Sequence, residues 1–373
     1  MSARSYAGWR IRMTAGIAVA ATIGLLALPT PGAGTPSTAP SAAASGPATL
    51  AGTWPDARTI DLPATLPDGT TYTPAAVLDP HRVVVQIADA DPDTASLALL
   101  DPADLAHPRR LEAIPIAGGG SFDTVTTDPG WVYWMSSVAG DQGSTRGTLH
   151  RADATGHTAT LTTDTGHATF TGSMYDLQVA DGRIWWTATR GTTVPTTDLR
   201  STPLTGGKVT VRPLQGTYHL TGWPWAGDDR IGGQPVVQLN LTTGAQRTFT
   251  EPPGQDVYCG AVWCRTVVRP QQATVVTLRR TDGTGQTARI NTDGEVPVFT
   301  DIAATDRFEF LTAPISTQAA TTSERLSLYD LNTSRRVAIA VSTAEGLNGT
   351  WLWWATGDNE TMTWHLLDLA TLR

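Results

Sequence analysis

The chain has few charged residues and almost no lysine. Charged residues make up 16% of its 373 residues, and Lys208 is the only lysine among 26 basic side chains. The net charge is −8, and no cluster of basic residues offsets it, so a polyanion such as DNA would be repelled. Nucleic-acid binding is therefore not expected. We attribute the near-exclusive use of arginine to codon usage in a G+C-rich genome.

Cysteine is scarce, with only Cys259 and Cys264 in the stretch VYCGAVWCRT. No histidine lies close enough in sequence to complete a metal site, and a redox pair would be spaced C-x-x-C. In an exported protein, such a close pair predicts a structural disulfide. The bond would join the two strands of a tight hairpin around Gly260 and Ala261. Because the closed loop is short, its stabilising effect should be modest.

The sequence also lacks a long apolar run. The longest run near the N-terminus, residues 13–28, has 16 residues, short of the roughly 20 that span a bilayer. It follows Arg4, Arg10 and Arg12, a pattern typical of a Sec-type export signal. Residues 1–33 are therefore predicted to be a signal peptide or, if uncleaved, an N-terminal anchor. Their removal would take the net charge to −11, and the protein is predicted to be secreted or held at the cell surface.

Motifs of the common catalytic classes are absent from the sequence. There is no G-x-S-x-G elbow, no P-loop, no G-x-G-x-x-G after a strand and no H-E-x-x-H. The seven histidines are scattered along the chain. No catalytic residue is predicted, and the sequence favours a non-catalytic protein without settling the question.

What the chain does have is a repeat. Three segments align on tryptophan: GWVYWMSS from Gly130, GRIWWTAT from Gly182 and TWLWWAT from Thr350. Each aromatic segment is followed by a strand, a polar turn and another strand, and the units recur at roughly 40–50 residues, as in four-stranded propeller blades. An aspartate stands just before several of these turns, where its carboxylate can accept from turn amides. These aspartates are Asp101, Asp153, Asp330 and Asp368.

The last unit lacks its final strand, and the missing strand lies at the other end of the chain. The segment RTIDLP, residues 58–63, resembles RLEAIP, residues 110–115, which ends the first unit. Closing the ring in this way removes exposed sheet edges. The prediction is an all-β protein: a seven-bladed β-propeller of four-stranded antiparallel blades over residues 54–373. Residues 34–53 are predicted to be a linker rich in Pro, Ala, Ser and Thr.

The densest group of tryptophans lies in the last unit. Side chains alternate along a strand, so Trp351 and Trp353 should share one face and Trp354 should lie on the other. The aromatic pair recurs in other units, which favours packing between blades over a ligand platform. Trp353 and Trp354 are therefore predicted to be core, and Trp351 and Trp364 to be the more exposed pair.

These features together resemble a known group of proteins. The pattern DG-R-I-W-W, a hydrophobic strand ending in Asp before TG, the layout of signal, tether and propeller, and VYCGAVWCRT in a middle blade are similar to secreted TolB-like or YncE-like seven-bladed β-propellers of actinobacteria. The resemblance covers about residues 54–373. It implies an architecture and no reaction, since members of that group are mostly non-catalytic scaffolds or proteins of uncharacterised function, and no catalytic residue carries over from them.

The stretch GWPWAGDD breaks the repeat and is the first candidate ligand site. Trp223 and Trp225 alternate around Pro224, beside Asp228 and Asp229. Aromatic rings next to carboxylates suit sugars or cationic groups. The alternative is that the two tryptophans pack between blades.

A second candidate is a calcium site in DADPDTAS. Asp89, Asp91 and Asp93 stand at alternate positions, as at the start of a calcium loop. Thr94 then replaces the turn glycine, and Leu100 stands where a bidentate acid belongs, so a solvated hairpin loop is the alternative. No other cofactor is predicted.

The functional prediction is a monomeric, extracytoplasmic binding or scaffold module for a protein or cell-envelope glycan partner. Contact with a membrane is expected only through an uncleaved N-terminal segment. One alternative is an extracellular hydrolase or lyase with its site at the axial funnel of the propeller. Another is a carbohydrate-binding module that uses exposed tryptophans.

Overall fold

The computed structural model describes residues 48–89, 91–116, 118–139, 145–190, 194–228, 235–268, 274–285, 287–292, 294–315, 323–358 and 360–373. The predicted signal segment lies outside them. The described chain forms seven antiparallel sheets arranged as the blades of a β-propeller, which confirms the predicted fold class. None of the helices in this part of the chain is long and apolar enough to cross a membrane.

Each blade runs outward from an innermost strand that lines the axis. Helix α1 (Leu50–Thr53) and strand β1 (Thr59–Pro63) precede the first complete blade, and a short 3-10 helix (Leu369–Thr371) follows the last strand. The remaining strands are β2 (Tyr72–Asp79), β3 (Arg82–Ala88), β4 (Thr94–Asp101) and β5 (Asp104–Pro115) in blade 1; β6 (Ser121–Asp128), β7 (Trp131–Ala139), β8 (Thr145–Asp153) and β9 (Thr158–Thr162) in blade 2; β10 (His167–Ala168), β11 (Gln178–Ala180), β12 (Arg183–Thr189), β13 (Thr196–Pro203) and β14 (Thr210–Gln215) in blade 3; β15 (Tyr218–Gly222), β16 (Trp225–Asp228), β17 (Val236–Asn240) and β18 (Gln246–Phe249) in blade 4; β19 (Asp256–Cys259), β20 (Trp263–Val268), β21 (Val275–Arg280) and β22 (Ala288–Asn291) in blade 5; β23 (Val296–Pro297), β24 (Phe308–Pro314), β25 (Glu324–Asp330) and β26 (Arg335–Ser342) in blade 6; and β27 (Ala344–Asn348), β28 (Trp351–Thr356) and β29 (Thr363–Asp368) in blade 7.

The ring is closed by the N-terminal strand, as the repeat predicts. Strand β1 pairs antiparallel with β29, with Leu62 opposite Trp364, and so completes blade 7. Leu62 is buried, and the indole Nε1 of Trp364 donates to the carbonyl of Tyr72 in blade 1 at 3.0 Å. The two ends of the chain are therefore joined by backbone pairing and by packing in one core cluster.

Strand β28 shows why the aromatic segments are so apolar. Trp351 and Trp353 pack into the cluster shared with blade 1, and Trp354 packs into the cluster shared with blade 6. Both faces of a blade are covered by its neighbours, so an apolar side chain is stabilised on either face, by about 2–3 kcal/mol for a large ring. The expectation that Trp351 and Trp364 are exposed was wrong. They are 8% and 3% exposed, because blade 1 covers the face on which they lie.

The aspartates before the turns act as predicted. The Asp101 carboxylate accepts from the N–H of Ala103 at 2.9 Å, and Asp153 accepts from Thr155 at 2.8 Å. The same bond, from an amide two residues further on, recurs in blades 6 and 7. There the N–H of Asn332 donates to Asp330 at 3.0 Å, and the N–H of Ala370 donates to Asp368 at 3.1 Å.

Arginine side chains fasten successive blades to one another. In four cases a guanidinium donates to the turn between the third and fourth strands of the next blade. In the fifth, Arg307 donates to the segment after the third strand of blade 7, whose fourth strand is β1. Arg suits this role because it is more weakly hydrated than Lys. The arginines thus have a structural use that codon usage alone does not explain. The bonds run from Arg82 to the carbonyl of Ala154 (3.1 Å), from Arg151 to Leu204 (3.0 Å), from Arg212 to Leu241 (2.6 Å), from Arg247 to the Thr281 hydroxyl (2.9 Å) and from Arg307 to the carbonyl of Leu372.

The segment before β1 packs against the outside of blade 6. The N–H of Ala338 donates to the carbonyl of Ala48 at 2.8 Å, and Trp54 is buried edge-on against Phe308 with ring centroids 6.0 Å apart. Part of the stretch assigned to the linker, α1 included, therefore contacts the propeller.

Candidate functional site

Blade 3 sends a loop across the axis of the ring. Its innermost strand is split into β10 and β11, and residues 170–177 between them, here called the strap, leave the sheet. The Ser173 hydroxyl donates to Asp301 Oδ1 at 2.5 Å, and the N–H of Met174 donates to Asp301 Oδ2 at 3.1 Å. Asp301 belongs to blade 6, three positions away around a ring of seven. The strap must therefore span the central channel.

The strap is held in shape by its own aspartate. The Asp176 carboxylate accepts from the N–H groups of Thr171, Gly172 and Ser173 at 2.7, 2.8 and 3.2 Å, and from the Thr171 hydroxyl at 2.8 Å. Gly172 has a φ of 76°, which glycine adopts without steric cost. Burial raises the pKa of Asp176 to about 6, although each of these hydrogen bonds lowers it. The increase in the pKa from desolvation of the carboxylate is thus larger than the decrease from its four hydrogen bonds.

A cavity of about 360 Å³ lies beside the strap. Its walls come from the strap, from strands β15 to β17 of blade 4, from the hairpin of β19 and β20 in blade 5, and from the loop between β23 and β24 of blade 6. Several polar side chains line it together with apolar ones. The polar residues that matter below are Tyr175, His219, Asp228, Tyr258, Asp301 and Asp306.

Two carboxylates lie at the blade 6 side of the cavity. Asp301 is buried, and burial raises its pKa despite the hydrogen bonds from Ser173 and Met174. Asp306 has a half-exposed side chain that accepts from the indole of Trp263 and pairs with Arg280 at 3.3 Å. Burial, with the negative charges of Asp301 and Asp306, raises the pKa of Tyr175 to about 12. The Tyr175 phenol and both carboxylates are thus close enough to interact electrostatically.

The loop that carries Asp301 is supported by a buried ion pair between blades 5 and 6. Arg265 Nη1 lies 2.7 Å from Glu309 Oε1, and the two side chains are 6% and 1% exposed. Arg265 Nη2 also donates to the carbonyl of Phe299 at 2.9 Å, and Glu309 accepts from the N–H of Ala303 at 3.0 Å. A pair this deeply buried must be well hydrogen-bonded to offset its desolvation. Here those bonds hold the backbone of the cavity wall.

The same loop contains unusual backbone conformations. Ala303, Thr305 and Asp306 have φ values of 50°, 55° and 61°. This left-handed region is unfavourable for residues other than glycine, and most of all for a β-branched residue such as Thr305. Such conformations persist where the surrounding structure enforces them, and they cluster at functional sites. The backbone conformation of this loop is therefore of the kind found at functional sites.

The tryptophans singled out by sequence pack beside the cavity and do not line it. Trp223 packs against Trp185 of blade 3, with ring centroids 4.4 Å apart and ring planes inclined by 33°, and Arg247 lies 3.9 Å above the Trp225 ring. The N–H of Trp223 donates to Gln178 Oε1 at 2.7 Å, and Gln178 Nε2 donates to the carbonyl of Tyr175 at 2.9 Å. Trp223 thereby positions the strap.

Gly222, next to this pair, allows the strap to approach blades 4 and 5. It has a φ of 115°, and a Cβ there would lie 3.0 Å from the Ala261 Cβ and 3.6 Å from the Tyr175 ring. Of the two acidic residues predicted with the tryptophans, Asp228 is buried and lines the cavity. Asp229 lies outside the described residues. Ligand binding by this group stays a prediction.

The carboxylates of Asp89 and Asp91, two of the three aspartates proposed for calcium, have protein partners. Asp89 accepts from Ser96 at 2.6 Å and pairs with Arg110 at 2.7 Å, while Asp91 accepts from the N–H of Asp93 at 3.0 Å. In the part of the chain that the structure describes, no three His, Cys, Asp or Glu side chains are grouped to hold a metal ion. The predicted disulfide is present: Cys259 and Cys264 are bonded and lie opposite each other in the hairpin of β19 and β20.

A second cavity, of about 520 Å³, lies between blades 2 and 3. Asp123 in its wall accepts from Ser121 at 2.5 Å and from Ser137 at 3.1 Å, and burial raises its pKa. Phe170 at the start of the strap lines both cavities. The first residue of the strap is thus shared by the walls of both cavities.

Four residues of the cavity were not predicted from the sequence: Ser173, Tyr175, Asp301 and Asp306. Two signals were available: the extra residues TGSMYDL within the inner strand of blade 3, and the long loop before FEF in blade 6. Both are departures from the repeat, as Trp223–Trp225 is. What the sequence does not show is that these departures meet at one place.

No protein-family model matches the chain, and no curated protein matches it. Among solved structures, an oligogalacturonate lyase in complex with manganese aligns with a TM-score of 0.51 and 11% identity, over 84% of this chain and 92% of that chain. An uncharacterized protein from Listeria monocytogenes EGD-e aligns with a TM-score of 0.48 and 10% identity, over 81% of this chain and 93% of that chain. The β-propeller domain of the Trilobed protease from Pyrococcus furiosus aligns with a TM-score of 0.44 and 8% identity, over 66% of this chain and 80% of that chain. At these identities, the similarity to the lyase shows the propeller fold alone.

Proposed function

We propose that this chain is an extracytoplasmic, non-catalytic binding module of the secreted TolB-like or YncE-like kind. Its partner is a protein or a cell-envelope glycan, and the axial cavity beside the strap receives a protruding group of that partner. The observation that supports this most directly is the cavity itself, a concave site of 360 Å³ with apolar walls and a few convergent polar groups. The disulfide between Cys259 and Cys264 is compatible with an oxidising compartment.

The proposal is tested by crosslinking at the mouth of the cavity. Val262 lines the cavity and is 40% exposed, whereas Val341 is 50% exposed on β26 and does not line it. A photoreactive amino acid is placed at each position in turn, and the full-length protein is irradiated on the native cell envelope. A crosslinked envelope component that depends on position 262 is the expected result. Equal crosslinking from position 341 would count against the cavity.

A variant that fills the cavity provides the second arm. A Cβ at Gly260 would meet no atom nearer than 3.6 Å, so Gly260→Leu causes no clash at Cβ and adds a side chain at the cavity wall. Its melting temperature is measured beside that of the wild type to show that it folds. Ala51→Leu, on the exposed face of α1, is the matched control. The crosslink should be lost with Gly260→Leu and retained with Ala51→Leu. Its persistence in the filled variant would contradict the proposal.

The enzyme alternative is favoured by one observation, the presence of His219, Asp228, Asp301 and Asp306 around the same cavity. Such groups could move protons during hydrolysis or elimination. The lyase with the same fold suggests oligogalacturonate as the first substrate to test. Elimination from it would form unsaturated products that absorb ultraviolet light. Product formation that is lost in Asp228→Asn would establish this alternative.

A further inference from the structure

The lining of the axial cavity is acidic. Asp228, Asp301 and Asp306 line it, and the described lining residues include no lysine or arginine. Behind the lining, Arg265 is paired with Glu309, and Arg280 is paired with Asp306. On the blade 6 side, the three carboxylates of Asp301, Asp306 and Glu309 thus face these two guanidinium groups, so this side of the cavity has an excess of negative charge among the described residues.

The rest of the wall is aromatic and aliphatic. Tyr175, Tyr258 and Trp263 contribute rings, and Val262 and Ile302 contribute aliphatic surface. Tyr258 and Val262 are each 40% exposed and therefore offer apolar contact to a molecule in the cavity. Ring faces attract cations, and apolar walls stabilise the body of a ligand.

We propose that the group bound in this cavity is an organic ammonium ion carried on an apolar or aromatic body of small-molecule size. This inference rests on the proposed function, in that the cavity is taken as the ligand site. Carboxylates at the blade 6 side receive the ammonium group, and the rings and aliphatic side chains receive the body. An anionic group would be repelled. A bare metal ion would need converging ligands, and the described residues hold no such group of three.

The charge requirement is tested with three probes of nearly equal size. Phenethylamine carries a cation, 2-phenylethanol is neutral and 3-phenylpropionate is an anion. Binding of each to the full-length protein is measured by isothermal titration calorimetry at neutral pH. Phenethylamine should bind at least about tenfold more tightly than 2-phenylethanol, a difference of about 1.4 kcal/mol. The anion should give no measurable binding.

The position of the cation is tested with Asp306→Asn. The amide can still accept from the Trp263 indole, while the negative charge is lost. The matched control is Asp164→Asn, because Asp164 is also an exposed aspartate paired with an arginine, Arg200, at 2.8 Å, but does not line the cavity. Asp306→Asn should weaken phenethylamine binding by about tenfold. Asp164→Asn should leave it unchanged.

Each other outcome overturns the inference in a distinguishable way. If 2-phenylethanol binds as tightly as phenethylamine and Gly260→Leu abolishes both, the cavity is the ligand site but the ammonium class is wrong. If phenethylamine binds equally well to Gly260→Leu, the amine binds elsewhere. If none of the three probes binds, the ammonium class is overturned, and the crosslinking experiment at Val262 decides the proposed function separately.

Discussion

The Ser173 hydroxyl lies 2.5 Å from Asp301 Oδ1, although the two residues are 128 positions apart in sequence and belong to nearly opposite blades. This bond fastens the strap across the axis of the ring. It places Tyr175 against the cavity and gives the buried Asp301 carboxylate a hydrogen bond in addition to the one from the N–H of Met174. The geometry of the candidate site therefore depends on a contact between blades that are not neighbours.

Replacing Ser173 with alanine should loosen the strap. Asp301 keeps the N–H of Met174 but loses the hydroxyl, and a lost hydrogen bond to a charged group costs about 1–2 kcal/mol. We expect faster amide hydrogen exchange at Met174 and Tyr175. Ser137→Ala is the matched control, because Ser137 donates to Asp123 in the second cavity at 3.1 Å. That variant should lose similar stability with no change in exchange of the strap.

Asp176 should make the stability of the protein depend on pH. Its pKa is raised to about 6 by burial, above the 3.8 of an unperturbed carboxyl. The cost of the buried charge is thus fully present above about pH 6 and relieved as the pH falls toward 4. In Asp176→Asn the amide oxygen can accept the same N–H groups, and the amide can donate to Thr171. Between about pH 7 and pH 4.5 the wild type should gain about 2 kcal/mol relative to this variant, measured by urea unfolding.

If the stability of Asp176→Asn changes with pH by the same amount as that of the wild type, this assignment is contradicted. The comparison must be between the two proteins at each pH, because other carboxyls titrate in the same range. Burial also raises the pKa of Glu345, whereas hydrogen bonds from Thr361 lower that of Asp358. Their contributions cancel in the difference.

Glu309→Gln should be strongly destabilising. It leaves the Arg265 guanidinium buried without its counter-charge, which costs about 3–5 kcal/mol in comparable pairs. The double variant Arg265→Met with Glu309→Leu removes both charges and should recover much of the loss. Chemical denaturation of the three proteins measures this. If Glu309→Gln is as stable as the wild type, the ion pair does not stabilise the wall of the cavity.

The arginine contacts between blades should contribute measurably to stability. Arg212→Met removes the bond to the Leu241 carbonyl and should lower the free energy of unfolding by about 1–2 kcal/mol. Arg289 also lies on the fourth strand of its blade, and among the described residues it makes no hydrogen bond or ion pair through its side chain. Arg289→Met should be nearly neutral in thermal melts. Equal effects of the two changes would argue against a specific role for the contact.

Deletion of residues 54–66 should open the ring. It removes β1 and the buried side chains of Trp54, Leu62 and Leu66, and it exposes the edge of β29. Unpaired strand edges and exposed apolar surface favour aggregation. We expect a large fall in melting temperature together with aggregation by light scattering. Deletion of residues 1–45 is the control and should not change the melting temperature of the propeller.

Much of the architecture was determined by the sequence alone, because it is written in patterns along the chain. The repeat predicted the blades, the similarity of residues 58–63 to residues 110–115 predicted the closing strand, and Asp101 and Asp153 marked the turns. The pair Cys259 and Cys264 predicted a disulfide across one hairpin. Each of these features depends on neighbours in sequence or on a period, so one chain is enough to find it.

Burial and the candidate site were decided by the tertiary structure. Trp351 is buried because blade 1 covers it, and strand alternation cannot show which face a neighbouring blade will cover. Asp301 and Tyr175 form one site only because the closed ring brings blade 3 and blade 6 within reach across the axis. The sequence showed where the repeat is broken, at Trp223 among other places. Only ring closure determined that these breaks meet around one acidic cavity.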